Sequence, residues 1–255
     1  MNYLTCAVTD VGISKQTNQD SYLMKSANTK VGKICFAVIC DGMGGLSKGE
    51  LASATVIRAF DEWFCERLPE LLEFGIEDKL IQQQWVSLVK AENDKIMAYG
   101  MQQGINLGTT VCAILITPHR YYYINVGDSR LYELSDELKQ ITVDQTLVQR
   151  EVEYGILTPE QANVDPRRSV LLQCVGCNDT VNPVVGFGIP NTDSVYLLCS
   201  DGFRHVISEE EIYALLQPNH MLNKQQMEQN TVELIELNKQ RHENDNITVL
   251  TIRTF

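Results

Sequence analysis

The sequence predicts an α+β protein built on antiparallel sheets. Short apolar runs rich in β-branched residues indicate strands, and two long segments have the apolar spacing of helices. Strand runs follow one another directly while helices come between the blocks, which favours hairpins over parallel crossovers. No Gly-, Pro- or Ser-rich linker divides the 255 residues, so we expect one domain over residues 1–255.

Seven apolar runs predict the strands. They are Tyr3–Val8, Ile34–Cys40, Thr110–Thr117, Tyr121–Val126, Leu131–Leu134, Val195–Cys199 and Ile247–Ile252. The turn signal Gly127-Asp128-Ser129-Arg130 separates the fourth run from the fifth, and we therefore predict a hairpin there.

Four segments predict helices. In Glu50–Glu66 and in Asp78–Tyr99, apolar side chains recur on one face. Shorter or more polar segments, Glu209–Leu216 and Lys224–Lys239, predict two more. These helices are expected to cover the sheets, because an antiparallel sheet must bury at least one face.

Composition narrows the possible partners. The formal net charge of −12 argues against binding to a nucleic acid, whose phosphates attract basic surfaces. The N-terminus has neither a basic nor an apolar signal region, and no apolar run is long enough to cross a bilayer. We expect a cytoplasmic protein with no nucleic-acid or membrane partner.

The eight cysteines give no sign of a metal or redox site. Cys174 and Cys177 form one C-x-x-C, but a zinc site needs a second ligand pair and a redox motif needs a thioredoxin-like context. We expect a structural role for this pair. Buried free thiols are expected within the predicted strands, at Cys35, Cys40, Cys112 and Cys199.

Five aspartates lie at strand ends or tight turns: Asp20, Asp41, Asp128, Asp201 and Asp245. Each alone is an ordinary turn residue. As a set they would repel one another at the rim of a core, unless a cation compensates their charge. Oxygen ligands without His or Cys suit Mg²⁺ or Mn²⁺. The residues themselves therefore predict a multi-carboxylate metal site at the sheet edges.

Eight motifs in order resemble the type 2C metal-dependent Ser/Thr protein phosphatases, particularly the bacterial members. They are Thr9-Asp10-Val11-Gly12 with Asn18-Gln19-Asp20, Cys40-Asp41-Gly42-Met43-Gly44-Gly45, Gly108-Thr109-Thr110, Gly127-Asp128-Ser129-Arg130, Asp144-Gln145-Thr146-Leu147-Val148, Asp165-Pro166-Arg167-Arg168-Ser169-Val170-Leu171, Cys199-Ser200-Asp201-Gly202 and Asp245-Asn246-Ile247-Thr248. The resemblance covers nearly the whole chain. It implies a four-layer α-β-β-α sandwich of two antiparallel sheets flanked by helices, with a flap subdomain at about residues 147–170.

The same resemblance implies a role for each metal ligand. Asp41 would bridge two Mn²⁺ or Mg²⁺ ions, and Gly42 would offer its carbonyl oxygen to the first. Asp201 and Asp245 would complete the second site, and Asp20 would hold metal-bound water in place.

A third ion and a mechanism are also implied. In bacterial members, the residues that match Asp128 and Asp201 together bind a third metal. Two ions lower the pKa of a water molecule and position it for attack on phosphorus, so no covalent phosphoenzyme is needed. The implied substrates are phosphoserine and phosphothreonine in proteins, and the implied partners include a Ser/Thr kinase and its substrates.

The substrate side departs from the family pattern. Lys15 stands where the family usually has an arginine that binds phosphate, and we group it with Asp41 and Asp201 as catalytic. Asn246, Arg167 and Arg168 are candidate substrate contacts, although an internal ion pair would explain the two arginines equally well.

Two further departures concern the metal water and the proton donor. Gln19 replaces the usual glutamate, which predicts weaker occupancy of the first metal. Met43 stands where some eukaryotic relatives carry a histidine proposed as general acid.

Two other functions fit the same motifs. One is a degenerate binding module that recognises phosphoproteins without turnover, which loss of Asp41, Asp201 or Asp245 would favour; all three are present. The other is a regulatory phosphatase that acts on antagonists of anti-sigma factors.

Overall fold

The computed structural model describes residues 1–44, 48–75 and 77–255, in which eleven strands and eight α-helices form a layered structure. The strands are β1 Tyr3–Asp10, β2 Asp20–Thr29, β3 Gly32–Met43, β4 Gly108–Thr109, β5 Val111–Ile116, β6 Tyr121–Val126, β7 Arg130–Leu134, β8 Leu138–Gln140, β9 Val184–Gly188, β10 Ser194–Cys199 and β11 Ile247–Thr254. The helices are α1 Gly49–Glu62, α2 Leu68–Phe74, α3 Asp78–Gln103, α4 Leu147–Glu153, α5 Pro159–Val164, α6 Asp201–Arg204, α7 Glu209–Leu216 and α8 Lys224–Gln240. Gly45, which ends one of the eight motifs, lies outside the described residues.

Two antiparallel sheets pack face to face. One has the order β1-β11-β10-β7-β8, and the other has the order β2-β3-β5-β6-β9, with β4 beside β3. The apolar side chains of β3 alternate between two clusters, as the period of a strand requires. Cys35, Ala37 and Ile39 lie between the sheets, whereas Phe36 and Val38 face the helices. A strand buried on both faces explains why this run is continuously apolar.

Helices cover both outer faces and complete four layers. Helices α1 and α3 pack on the sheet of β3, and α7 and α8 pack on the sheet of β10. The first contact centres on Phe36, Phe60, Trp63 and Trp85, whose rings lie 5.3–6.2 Å apart. Each such buried aromatic contributes roughly 2–3 kcal/mol. The predicted four-layer sandwich is confirmed.

The helix predicted over Glu50–Glu66 begins as α1 and continues as a π-helical turn, Trp63–Arg67, into α2. The other three predicted helices are present with nearly the same bounds. Strand β2 was missed because it is polar and only half-buried, and β9 because it holds two glycines at a sheet edge. In the described part of the chain, no helix is both long enough and apolar enough to cross a membrane.

The predicted hairpin at Gly127–Arg130 is wrong. Strand β6 pairs with β5 and β9, whereas β7 pairs with β10 and β8 of the other sheet. The connection is buried, unlike a surface turn. The Ser129 and Thr110 hydroxyls are hydrogen-bonded at 2.7 Å, and the Gly127 N–H donates to the Gln145 side chain at 2.8 Å. The chain therefore crosses from one sheet to the other here, and carries Asp128 into the interior.

Candidate metal centre

A cavity of about 530 Å³ opens at one end of the sandwich, where strands of both sheets terminate. Its lining includes five residues that the sequence predicts as metal ligands: Asp41, Gly42, Asp128, Asp201 and Asp245. Lys15 also lines it. The structure thus brings together residues that are up to 230 positions apart in the chain (15 to 245).

Asp41 is held firmly by its own backbone. It lies near the end of β3, where its N–H donates to the Thr110 hydroxyl at 2.9 Å. Its carbonyl accepts from the Thr110 N–H and the Thr109 hydroxyl, each at 2.9 Å. The side chain is left free of these bonds and available to a ligand.

Gly42 allows two segments to meet closely beside the cleft. Its N–H donates to the carbonyl of Gln19 at 3.2 Å, and a side chain here would collide with the backbone of Gly49 and of Gln19. Only glycine fits this approach.

Asp20 is the register partner of Asp41 across β2 and β3. Its Oδ2 accepts hydrogen bonds from Thr248 at 2.6 Å and Ser200 at 3.0 Å, whereas its buried Oδ1 has no partner in the described residues. Burial raises the pKa of Asp20 to about 7, although the two hydroxyls act in the opposite direction.

Burial, followed by mutual repulsion of the carboxylates, raises the pKa values of the acidic groups Asp41 and Asp128 in the cleft. Burial and then the charges of Asp20 and Asp201 raise the pKa of Asp41 well above its usual range. Burial, followed by Asp201, likewise raises the pKa of Asp128 to about 7, against the opposing charge of Arg204. Carboxyl groups with raised pKa values hold their protons more tightly in the absence of metal, and a bound cation would displace those protons.

Asp201 has a different environment, which the sequence did not reveal. His205, four residues later, places Nε2 at 3.2 Å from Oδ2 of Asp201 and Nδ1 at 3.4 Å from Oε2 of Glu243. Burial alone would lower the pKa of His205, but these two carboxylates raise it to about 9. Burial likewise would raise the pKa of Asp201, but His205 and then Arg204 hold it well below its usual range. In the sequence, the i, i+4 spacing of Asp201 and His205 is the only sign of this contact.

Lys15 and Asp245 form an ion pair at 2.9 Å on the rim of the cleft. Burial would lower the pKa of Lys15, but the hydrogen bond and charge of Asp245 prevail, and the pKa lies above its ordinary value. The Asp245 N–H donates to Glu243 at 2.9 Å, so Glu243 links this residue to His205.

A second buried ion-pair network lies behind Asp128. Arg204 places Nη2 at 3.5 Å from Oδ2 of Asp128 and at 3.3 Å from Asp144. Arg130 binds both oxygens of Asp144 at 2.8 Å through its guanidinium fork. Arg204 was not predicted, because only the crossing between the sheets brings Asp128 to it.

The expectation that Asn246 binds substrate is wrong, because its side chain is buried and fully engaged. Its Oδ1 accepts from the Gln19 N–H at 2.9 Å, and its Nδ2 donates to the carbonyls of Val11 and Thr17 at 2.9 and 3.2 Å. Asn246 therefore holds the segment that carries Lys15 in place, and both polar atoms of its side chain are already hydrogen-bonded within the protein.

Arg167 takes the alternative of an internal ion pair. Its guanidinium binds both oxygens of Glu151, at 3.0 and 2.8 Å, and also Asp165 at 2.8 Å. Arg168 is exposed, and neither arginine lines the cleft. Ser169, the next residue, does line it.

The donor set of the cleft fits a hard divalent cation, although in residues 1–44, 48–75 and 77–255 no three acidic, His or Cys side chains already close around one point. The carboxylates instead form ion pairs with side chains of the protein: Asp201 with His205, Asp245 with Lys15 and Asp128 with Arg204. Within the part of the chain that the structure describes, two buried carboxylate oxygens, Asp20 Oδ1 and Asp201 Oδ1, have no hydrogen-bond partner. Such oxygens are costly to bury unless a cation binds them.

The fold and cleft define a two-sheet sandwich protein with a multi-carboxylate site at the sheet ends, and comparison with known proteins assigns its family. The family model described as protein phosphatase 2C matches residues 13–247. A putative protein phosphatase 2C-type of Streptococcus pyogenes is 30% identical over 247 residues, which cover 96% of this chain and 94% of that protein. The chain belongs to the protein phosphatase 2C family.

Solved structures agree with this assignment. The serine/threonine phosphatase of S. agalactiae superposes with a TM-score of 0.85 at 27% identity and covers both chains completely. The catalytic domain of the serine/threonine protein phosphatase PstP, in complex with two manganese ions, has a TM-score of 0.77 at 30% identity and covers 98% of this chain and 97% of that one. The resemblance to bacterial type 2C phosphatases is confirmed.

Proposed function

We propose that this protein hydrolyses phosphoserine and phosphothreonine esters on other proteins and that it requires Mn²⁺ or Mg²⁺. The observation that carries the proposal is the pair of unpartnered, buried carboxylate oxygens on Asp20 and Asp201, in a cluster with Asp41. A bound cation would relieve the repulsion within this cluster and would pair with both oxygens.

Two metal positions are proposed for the cleft. Asp41 would bridge them, with the carbonyl of Gly42 on the first and Asp201 and Asp245 on the second. Asp20 would hold a water molecule through its free Oδ1. Two divalent cations bound there would supply the Lewis acidity that activates water for attack on phosphorus.

Asp128 is the proposed ligand of a third ion, together with Asp201. Its carboxylate faces the guanidinium of Arg204 at 3.5 Å, so a third cation has to compete with a fixed positive charge. We therefore propose that the third position binds more weakly than the two core positions.

The substrate phosphate is proposed to bind at Lys15. Its ammonium group lies on the rim of the cleft, where it pairs with Asp245. If a cation binds Asp245, the ammonium group of Lys15 would be free to bind a phosphate oxygen. A single lysine orients phosphate less tightly than the bidentate fork of an arginine.

A flap at about residues 147–170 is proposed to influence the choice of substrate within a single catalytic domain of residues 1–255. Thr146 and Thr158 cap the N-termini of helices α4 and α5, and Arg167 ties the end of the segment back to Glu151. Ser169, near the end of the segment, lines the cleft. A protein substrate bound at the metals would meet this surface.

The proposed partners are phosphorylated proteins, among them a Ser/Thr kinase and its substrates, in the cytoplasm. Six cysteines in the structure are free, and Cys65 among them is exposed. An exposed free thiol fits a reducing compartment.

Hydrolysis of a phosphothreonine peptide, measured with Mn²⁺ and with Mn²⁺ plus a chelator, tests this function. Asp201→Asn is the inactive variant, and Asp136→Asn, which changes an exposed aspartate in a surface turn, is the matched control. We expect activity only with free Mn²⁺, in the wild type and in Asp136→Asn. Activity that survives both chelator and Asp201→Asn would refute the mechanism, and no activity with any divalent metal would favour a binding module.

A further inference from the structure

A disulfide between Cys174 and Cys177 lies on the wall of the metal cleft. The Cα atoms of the two residues are 5.7 Å apart, a separation typical of disulfides. The expectation of a purely structural C-x-x-C is difficult to reconcile with this position, because the pair stabilises only a four-residue loop. Nothing in the proposed hydrolysis uses either sulfur.

The two sulfurs differ in accessibility. Cys174 is 5% exposed, whereas Cys177 is exposed and also borders a second cavity, of about 490 Å³, beside Gly176 and Met101. Cys177 is therefore more open than Cys174 to an attacking thiolate and, once reduced, to a hydroperoxide. One accessible and one buried sulfur is the arrangement that thiol–disulfide exchange requires.

The loop is shaped independently of the disulfide bond. The N–H of Cys174 donates to the side chain of Asn178 at 2.9 Å, and the N–H of Gly176 donates to the side chain of Asn93 at 2.8 Å. Asn93 also donates to the carbonyl of Asn178 at 3.0 Å. Gly176 has a φ of +98°, which favours glycine. The two thiols are thus held near each other even when reduced, so the bond can reform.

The loop is connected to the metal ligands through two strands. Val175 exchanges two backbone hydrogen bonds of 2.9 Å with Thr109, and Thr109 is the register partner of Gly42. The Thr109 hydroxyl donates to the carbonyl of Asp41 at 2.9 Å. The backbone of Gly108 lies against both sulfurs with no room for a side chain. When the disulfide is reduced, the two sulfurs must move from bonding distance to van der Waals distance, a change of more than about 1 Å. This movement must displace the wall.

We propose that Cys174 and Cys177 form a reversible redox site whose oxidised state fixes the wall of the metal cleft, with Cys177 as the sulfur that reacts with small molecules. A small-molecule thiolate attacks Cys177, forms a mixed disulfide and releases the Cys174 thiolate, which takes up a proton. A second thiol displaces the first from Cys177 and leaves with it as a disulfide. Two protein thiols are formed for two small thiols oxidised.

Oxidation by a hydroperoxide reverses this change. The Cys177 thiolate attacks the O–O bond and becomes a sulfenic acid, with water or an alcohol as the leaving product. The Cys174 thiol then displaces the sulfenic oxygen as water and restores the disulfide. In a reducing compartment, a disulfide of this kind is transient and responds to the redox state.

The thiol chemistry is tested in a Cys65→Ser background, because Cys65 is the only exposed free cysteine in the described residues. Cys174→Ser and Cys177→Ser are each added and incubated with oxidised glutathione, and intact masses are measured. We expect one glutathione on the Cys174→Ser protein and none on the Cys177→Ser protein. Equal labelling of both variants, or labelling of neither, would overturn the assignment of Cys177.

The effect on the cleft rests on the proposed function, and two readouts separate the two claims. Mn²⁺ affinity and KM for a phosphothreonine peptide are measured on the oxidised and the reduced forms of the Cys65→Ser protein. The same protein with Cys174→Ser and Cys177→Ser added cannot form the disulfide and serves as the control. We expect reduction to lower the Mn²⁺ affinity, to raise KM, or both, by about fivefold or more. The double variant should match the reduced form. If both quantities are independent of redox state, the switch is refuted. If the oxidised protein binds Mn²⁺ but hydrolyses nothing, the proposed function fails while the Mn²⁺ affinities still decide the switch.

Discussion

The Nε2 atom of His205 lies 3.2 Å from Oδ2 of Asp201. Through its other nitrogen the same ring contacts Glu243 at 3.4 Å, and Glu243 accepts the N–H of Asp245 at 2.9 Å. One histidine and one glutamate therefore position both proposed ligands of the second metal. Such supporting groups set the orientation and the charge of a ligand.

Replacing His205 is expected to impair a site that it does not itself occupy. His205→Ala leaves Asp201 and Glu243 without their shared partner, and we expect kcat/KM for a phosphothreonine peptide to fall by roughly 10- to 100-fold. His205→Gln, which keeps a hydrogen-bond donor but no charge, should lose less. Wild-type activity in His205→Ala would show that Asp201 needs no such support.

The same histidine predicts a pH dependence of stability in the metal-free protein. Its pKa is raised to about 9, above the ordinary value of 6.5, so the folded state binds the proton more tightly. The stabilisation is fully present below about pH 6.5 and is lost as pH rises through 9, an effect on the order of 3 kcal/mol. Urea unfolding at the two ends of this range should show a larger loss for the wild type than for His205→Gln. An identical loss in both proteins would contradict the prediction.

Metal binding is expected to release protons. The pKa values of Asp20 and Asp128 are raised to about 7, so both groups are largely protonated near pH 6 in the absence of metal. Carboxylates bind Mn²⁺ deprotonated, and its apparent affinity should therefore rise as pH increases through about 7. Calorimetry near pH 6 in two buffers of different ionisation enthalpy counts the protons released, and Asp20→Asn should release fewer. A binding enthalpy that does not depend on the buffer would argue against this electrostatic picture.

Lys15 is expected to have opposite effects on phosphate and on metal. Lys15→Ala removes a cation from the substrate side, and we expect KM for the phosphopeptide to rise about tenfold. It also frees Asp245, so Mn²⁺ affinity should rise slightly. Lys15→Arg is the matched control and should lower KM, because its fork can bind two phosphate oxygens. An unchanged KM in Lys15→Ala would exclude Lys15 from phosphate binding.

The central residues of the site could be predicted from the sequence because each follows a strong local pattern. Asp41 closes the apolar run of β3, and Asp201 lies two residues after the end of β10, so strand recognition alone places them at sheet ends. The partners His205 and Arg204 could not be predicted in the same way. Their contacts depend on the short helix α6 and on the packing of both sheets around it.

Two errors have the same physical origin. The segment at Gly127 has the composition of a surface turn, but tertiary hydrogen bonds between Ser129 and Thr110 and from Gly127 to Gln145 satisfy it in the interior. Asn246 lies beside a proposed metal ligand and resembles a substrate contact, but its amide is used by the backbone of a segment more than 200 positions away. Local patterns do not report long-range hydrogen bonds.

The number of Mn²⁺ ions bound per chain is the most direct test of the proposed metal centre. Equilibrium dialysis should find two tightly bound ions in the wild type, a number also seen in the PstP structure. Asp41→Asn should lose both, because Asp41 is proposed to bridge the two positions, whereas Asp136→Asn should keep both. Two ions retained by Asp41→Asn, or none bound by the wild type, would contradict the proposed site.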